Sequence, residues 1–220
     1  GNAVNNMIEK GIVGVDFYAI NTDSQALAAN LAPNKVQAGS NLTKGLGAGA
    51  RPSIGAEAVE ENRLEIEDAI RGFDMVFITA GMGGGTGTGS APVVAQVARD
   101  TGAIVIGTVT MPFNIEKARL EKAEYGLDQL RANCDTVIVI DNNRLVKIAG
   151  SLPIQQAFAV ANELIASMIK GIVETIAIPS VTLCIIKPIT SVEPSAISPI
   201  AYALPIARPS PRLCKPIPRA

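Results

Sequence analysis

Ala80-Gly81-Met82-Gly83-Gly84-Gly85-Thr86-Gly87-Thr88-Gly89-Ser90 is the stretch of this sequence best suited to chemistry. It follows an apolar run, Met75–Thr79, and leads into an apolar helical segment that begins at Ala91. Glycines let the backbone take positive φ and approach a ligand with no Cβ in the way, so successive N–H groups can converge on phosphate oxygens. Thr86 and Thr88 add hydroxyl donors, and the helix that follows presents its partly positive N-terminus to the same anion, so no lysine is required. A plain glycine linker does not fit, because linkers do not sit between a buried strand and a helix. A Walker loop would end in Gly-Lys-Ser/Thr, which is absent from the chain, and neither glycine cluster satisfies G-x-G-x-x-G in any register. With no histidine in the chain, Ser-His-Asp and Cys-His chemistry is excluded. Cys134, Cys184 and Cys214 lack CxxC spacing, so they offer no zinc site and fit a reducing, cytosolic compartment.

The elements that must hold this loop follow from periodicity. Apolar, β-branched runs at Val15–Ile20, Met75–Thr79, Ile104–Thr110 and Thr136–Ile140 predict short buried strands. Helical patterns separate them: Asn2–Lys10 with Val4, Met7 and Ile8 on one face, Glu57–Arg71 with Ile66 and Ile70 a turn apart, Pro92–Arg99, and Glu116–Arg131 with Leu120, Leu127 and Leu130. Strands alternating with helices predict an α/β fold, Rossmann-like, with a mainly parallel sheet flanked by helices. A long core helix from Ile154 to Ile178, apolar on most sides, belongs between two layers or two domains. Aromatics are 4% of the residues, so the core is built of small aliphatics. The net charge of −1 leaves no field to gather nucleic acid or anionic lipid. No run reaches the roughly 20 uninterrupted apolar residues of a membrane span, so direct membrane insertion is not expected.

After Pro179 the composition changes. Nine of the 14 prolines fall from Pro179 onward, while glycine, aspartate and asparagine disappear. Proline lacks the N–H and restrains its predecessor, so Lys187-Pro188, Ser198-Pro199 and Arg208-Pro209-Ser210-Pro211 resist both helix and central strand. Residues 179–220 read either as a Pro-rich, partly extended tail or as a frameshifted end of unrelated character.

Gly83–Gly89 reads GGGTGTG and resembles the signature of the tubulin and FtsZ family. Gly45–Pro52, GLGAGARP, is similar to the family's second glycine loop, which closes over the terminal phosphate through Ala48, Gly49 and Ala50. Thr110-Met111-Pro112-Phe113 resembles the strand end that leads to the sugar-binding segment, where Pro112 lies. Glu116 and Arg119 match the pair that contacts the ribose, at a spacing of three where many relatives have four; read alone, they make an intrahelical ion pair. Asn142 in IDNNRL and Asn162 in FAVANEL stand where the family reads guanine, and Phe158 lies one turn before Asn162, placed to stack on the base. Many relatives carry aspartate where this chain has Asn162, with Glu163 beside it; an amide oxygen accepts from guanine N1–H but takes the exocyclic amine less strongly than a carboxylate. Taken singly, Asn142 reads sooner as a helix cap than as a base reader, and Phe158 sooner as core.

The resemblance covers roughly residues 1 to 180 and is to archaeal-like members. It implies an incomplete GTP-binding domain over residues 1–178, including the core helix. Gly1 and Asn2 look like the end of the first phosphate loop, so the first strand is missing, and a sheet without it is expected to be poorly stable. The family binds GTP/GDP with Mg2+ and self-associates into filaments, and carboxylates of the next subunit complete hydrolysis. It also works with division-machinery and membrane-tether proteins in the cytoplasm at the division site. After residue 178 the one acidic residue is Glu193, so no catalytic and no metal-ligating residue is nominated. This chain is expected to bind nucleotide without turnover, although its parent is a GTPase. The alternative is a nucleotide-binding scaffold of the same family.

Overall fold

A computed structural model describes residues 1–149 and 154–177. In chain order the elements are α1 (Asn2–Glu9), β1 (Tyr18–Asn21), α2 (Ser24–Ala28), β2 (Asn34–Gln37), α3 (Ser40–Thr43), α4 (Pro52–Glu61) and α5 (Arg63–Ile70). They continue with β3 (Met75–Gly81), α6 (Thr86–Asp100), β4 (Ile104–Met111), α7 (Lys117–Asn133), β5 (Thr136–Asp141), α8 (Asn142–Ala149) and α9 (Ile154–Ala177). Residues 179–220, and with them the expected tail, lie outside the described residues, as does Ile178 at the expected end of the long helix.

Alternation along the strands sorts two cores. Val76, Ile78 and Ala80 of β3 turn to one face with Val105, Val109, Val137 and Val139, where Val59, Ile66, Val97 and Leu130 of α4 to α7 cover them. Phe77 and Ile140 turn to the other face and meet Met7 of α1 with Ile165, Ile169 and Val173 of α9. The five strands pair in parallel, as α/β crossovers require. It falls into two sheets, β1-β2 and β3-β4-β5. Between the unpaired edges of β1 and β3 lies a cleft of 1170 Å³.

Several boundaries differ from the sequence expectation, each for a physical reason. The helix predicted over Glu57–Arg71 is two helices. They break at Asn62, whose side chain accepts from Gly39 N–H at 3.0 Å and donates to Glu65 at 2.8 Å. The strand expected over Val15–Ile20 pairs only over Tyr18–Asn21, while Val15 and Phe17 pack into the second core. The polar β2, whose single buried residue is Val36, carries no periodic signal. The helix expected from Pro92 begins at Thr86, with Pro92 inside it. Among the described residues one helix, Gln156–Ile176, is long and apolar enough to cross a membrane. It carries Glu163, Lys170 and Glu174, and its Ala161, Ile165, Ala166 and Ile169 are buried, which makes it a core helix.

Candidate nucleotide site

The first turn of α6 forms the floor of the site. Gly85 is its N-cap with no side-chain cap, and the turn holds no acidic residue, so its N–H groups and the positive end of the helix are free to meet an anion. The preceding loop owes its shape to Gly83, which sits at φ +95° and donates its N–H to the buried Thr88 hydroxyl at 2.9 Å. Thr88 is 1% exposed, so its hydroxyl is committed inside the loop. The Thr86 hydroxyl bonds that of the fully buried Thr22 at 2.6 Å, tying the loop to the end of β1.

The other glycines are there for contact. A Cβ at Gly87 would overlap the Gly81 carbonyl, and one at Gly89 would overlap the Pro52 carbonyl of α4. A Cβ at Gly85 would lie 2.8 Å from Arg51 N, 2.9 Å from Ala48 Cβ and 3.1 Å from Ala50 N. The loop of Ala48, Gly49 and Ala50 therefore packs directly on the phosphate loop. Ala50 holds φ +56°, unusual for a residue with a Cβ, and Lys122 of α7 donates to its carbonyl at 2.9 Å. Gly84 has open space where a Cβ would be, which marks the side from which a ligand can approach.

The sugar side is built by the end of β4 and the start of α7. Pro112 and Arg119 both come against Gly83. Arg119 pairs with Glu116 at 2.7 Å, so the intrahelical ion-pair geometry is present. Glu116 stands at the N-cap of α7 and accepts from Phe113 N–H at 3.2 Å. Phe113 meets Phe158 edge to face at 5.3 Å, and Phe158, at 44% exposed, keeps much of its surface open.

Asn142 opens α8 at the end of β5. It is 3% exposed, and its Oδ1 has no hydrogen-bond partner among the described residues. An orphaned buried acceptor is costly unless a ligand donor reaches it. Asn162 is half-buried on α9 one turn beyond Phe158. Its neighbour Glu163 is taken by an ion pair with Lys10 of the α1 end. Gly1 and Asn2 line the same cleft as Thr86 and Gly87, and the Gly1 carbonyl accepts from the Asn30 side chain at 3.2 Å.

Three contributors were not singled out from sequence. Thr22 and Lys122 are isolated polar residues whose partners are remote in the chain. Asn143 accepts from Asn114 N–H at 2.8 Å and bonds Asp141 at 2.9 Å, stapling the loop after β4 to the end of β5. Its signal was the doubled asparagine directly after a strand. Among the described residues no cluster of three His, Cys, Asp or Glu side chains could hold a metal ion.

The family model for the Tubulin/FtsZ family, GTPase domain, matches residues 1–150. Cell division protein FtsZ 2 of Methanocaldococcus jannaschii is 54% identical over 179 residues, which are 81% of this chain and 47% of that protein. Cell division protein FtsZ 1 of Thermococcus kodakarensis is 50% identical over 179 residues, 81% of this chain and 48% of that protein. The solved empty FtsZ dimer of M. jannaschii superposes with a TM-score of 0.78 at 45% identity, covering 83% of this chain and 53% of that one. CetZ from Methanosaeta thermophila, at 22% identity and a TM-score of 0.67, shares the fold over 80% of this chain and 51% of its own. This chain thus spans about half the length of the curated relatives it matches.

Proposed function

Because this chain belongs to the tubulin/FtsZ family of GTPase domains, we propose that it binds GTP or GDP with the phosphates on the first turn of α6. The sugar then lies against Glu116 and Arg119, and the base between Phe158 and the amides of Asn142 and Asn162. The observation that carries this reading is the α6 N-terminus itself: an uncapped turn without an acidic residue, opening from Gly83–Gly85 and walled by Ala48–Ala50. The orphaned Asn142 Oδ1 supports a base with an N–H to offer. Among the described residues the donor set is amides and hydroxyls with no acidic cluster. Mg2+ would accordingly be carried on the phosphates, with the half-buried Thr86 hydroxyl as the oxygen this chain offers, and it would neutralise phosphate charge there.

We hold the parent to be a filament-forming cell-division GTPase in which carboxylates of the next subunit position the attacking water, acting in the cytoplasm at the division site with tether and division-machinery partners. For these 220 residues we propose binding without turnover, since Glu193 is the one acidic side chain after residue 178. Titration of the chain with fluorescent GTP and ATP, with phosphate release followed in parallel, tests both halves. Saturable guanine-preferring binding without released phosphate supports the proposal. Equal affinity for ATP removes the base assignment, and sustained phosphate release removes the non-hydrolysing reading.

A further inference from the structure

Building on the nucleotide reading proposed above, we infer that Arg51 is the residue that tells a nucleoside triphosphate from a diphosphate, its guanidinium pairing with the terminal phosphate. Direction along the phosphate loop follows from what stands against each glycine. At Gly83 it is the sugar side: a Cβ there would lie 2.9 Å from Arg119 Cβ and 3.3 Å from Pro112 Cγ. Gly84 faces open space, and Gly85 meets the opposite wall, where an added Cβ would lie 2.8 Å from Arg51 N and 3.1 Å from Ala50 N. A nucleotide with its sugar at the Gly83 end therefore runs its phosphates toward Gly85, and the last of them ends beside Arg51.

The side chain is placed for that anion. Its Nε and Nη2 lie 3.8 and 3.9 Å from where a Gly49 Cβ would stand, so the exposed guanidinium is folded back along the 48–50 wall. The backbone beneath it is held: Arg51 N–H donates to the Ala48 carbonyl at 3.0 Å, and its carbonyl accepts from Gly55 N–H at 3.3 Å. Two neighbouring cations are already committed, Lys122 to the Ala50 carbonyl at 2.9 Å and Arg119 to Glu116 at 2.7 Å. The Arg51 guanidinium has no hydrogen-bond or ion-pair partner among the described residues.

For the fold alone this is a poor position for a cation. Arg51 is the N-cap of α4, directly before Pro52, and the positive end of a helix repels a positive side chain. The start of α6 packs on the same spot, since a Cβ at Gly55 would overlap the Gly85 carbonyl and one at Gly89 the Pro52 carbonyl. Two positive helix ends and a guanidinium thus converge, and neither first turn holds an acidic residue. An anion relieves that repulsion. The group a triphosphate has and a diphosphate lacks is the one that reaches Arg51, and the planar fork of arginine can grip two of its oxygens.

The test titrates the full chain, Arg51→Gln and Arg51→Glu with guanylyl imidodiphosphate and with GDP, alongside urea unfolding of each ligand-free protein. The parent should prefer the triphosphate. Its affinity should fall about tenfold or more in Arg51→Gln and further in Arg51→Glu, while GDP affinity moves by less than about threefold. Unfolding midpoints should match or exceed the parent's, because removing a cation from a helix N-terminus relieves repulsion. Equal loss for both nucleotides, a triphosphate loss that tracks a lowered midpoint, or no loss at all overturns the role of Arg51 and leaves the nucleotide site standing. A loss seen only at protein concentrations where the chain self-associates assigns Arg51 to a neighbouring copy and overturns it as well. A parent that binds neither nucleotide removes the site reading itself, and Arg51 with it.

Discussion

The two faces of the sheet are built to different tolerances. On the α4–α7 side, backbone meets backbone: Gly85, Gly87 and Gly89 leave no room for a methyl group against Arg51, Gly81 and Pro52. Gly126 of α7 likewise presses on Thr88. On the α1–α9 side, Ile169 and Val173 border the 1170 Å³ cleft that separates β1 from β3, and α9 exposes Phe158, Val160 and Ile176. The phosphate loop lies on the boundary between the two. The difference shows that its shape is imposed from the closed side, through contacts that glycine alone permits. The open side contributes one hydroxyl pair, Thr22 with Thr86.

The sharpest way to break this comparison is to put a methyl group on each kind of glycine. Gly89→Ala forces apart α4 and α6, and we expect a loss of about 3 kcal/mol in denaturant unfolding, enough to unfold a marginal domain. Gly84→Ala meets open space and should shift stability by less than about 0.5 kcal/mol. Because its methyl stands where the ligand approaches, nucleotide titration should nonetheless show weakened binding. Equal destabilisation by the two changes would mean that the loop is soft and the closed side does not shape it.

Core truncations sharpen the same contrast. Leu130 is fully buried on the closed side, and Leu130→Ala should cost about 3 kcal/mol through lost transfer energy and a new cavity. Val173 lines the existing cleft, so Val173→Ala enlarges a space already present and should cost about 1 kcal/mol. Unfolding midpoints in urea, at unchanged slope, decide between them.

These contacts also explain what the sequence could and could not show. The strand-loop-helix order around GGGTGTG and the parallel α/β class were legible, because β3, β4 and β5 are long apolar runs and α9 carries a marked apolar face. The start of α6 was not. Pro92 reads as a first-turn residue and glycines read as loop, whereas Gly87 and Gly89 are helical residues selected by close packing. The break at Asn62 depends on Gly39, remote in sequence, and β2 is too short and polar to announce itself. Within the site, the glycines came from a local pattern, and Glu116 and Arg119 from the family resemblance. Thr22 and Lys122 act through single side-chain bonds to atoms remote in the chain, which no local pattern encodes, whereas Asn143 left a signal in the doubled asparagine after β5.

Lys122 gives a finer measure of how far the closed side controls the ligand. It reaches from α7 to the Ala50 carbonyl and is half-buried there, so it holds the wall over the phosphates without contributing much to the core. Lys122→Met keeps the aliphatic stem and removes the bond. Nucleotide release in a stopped-flow chase should accelerate about fivefold, roughly 1 kcal/mol, with an unfolding midpoint close to the parent's. An unchanged release rate would show that Gly85 packing alone seats the 48–50 loop.

The smallest effect belongs to Cys134, which lies beneath β4 with its Sγ 3.2 Å from where a Gly107 Cβ would stand. Burial first, and the neighbouring Asp135 second, push its thiol up to about 11 against an ordinary 9.0, while a hydrogen bond from the Gly107 backbone pulls the other way. The folded state therefore favours the protonated thiol. Its contribution to stability is whole below the unfolded pKa, declines above it, and is gone once pH has risen through about 11. Cys134→Ala should accordingly show a shallower loss of stability across that alkaline window than the parent, the difference isolating the thiol from lysines and tyrosines that titrate nearby. In a Cys184→Ser, Cys214→Ser background, thiol reagent at pH 8 should modify Cys134 far more slowly than free cysteine, since little of it is thiolate. Fast modification would mean that the sheet face under α7 opens readily, and the two sides of the molecule would then differ less in packing than their glycine contacts require.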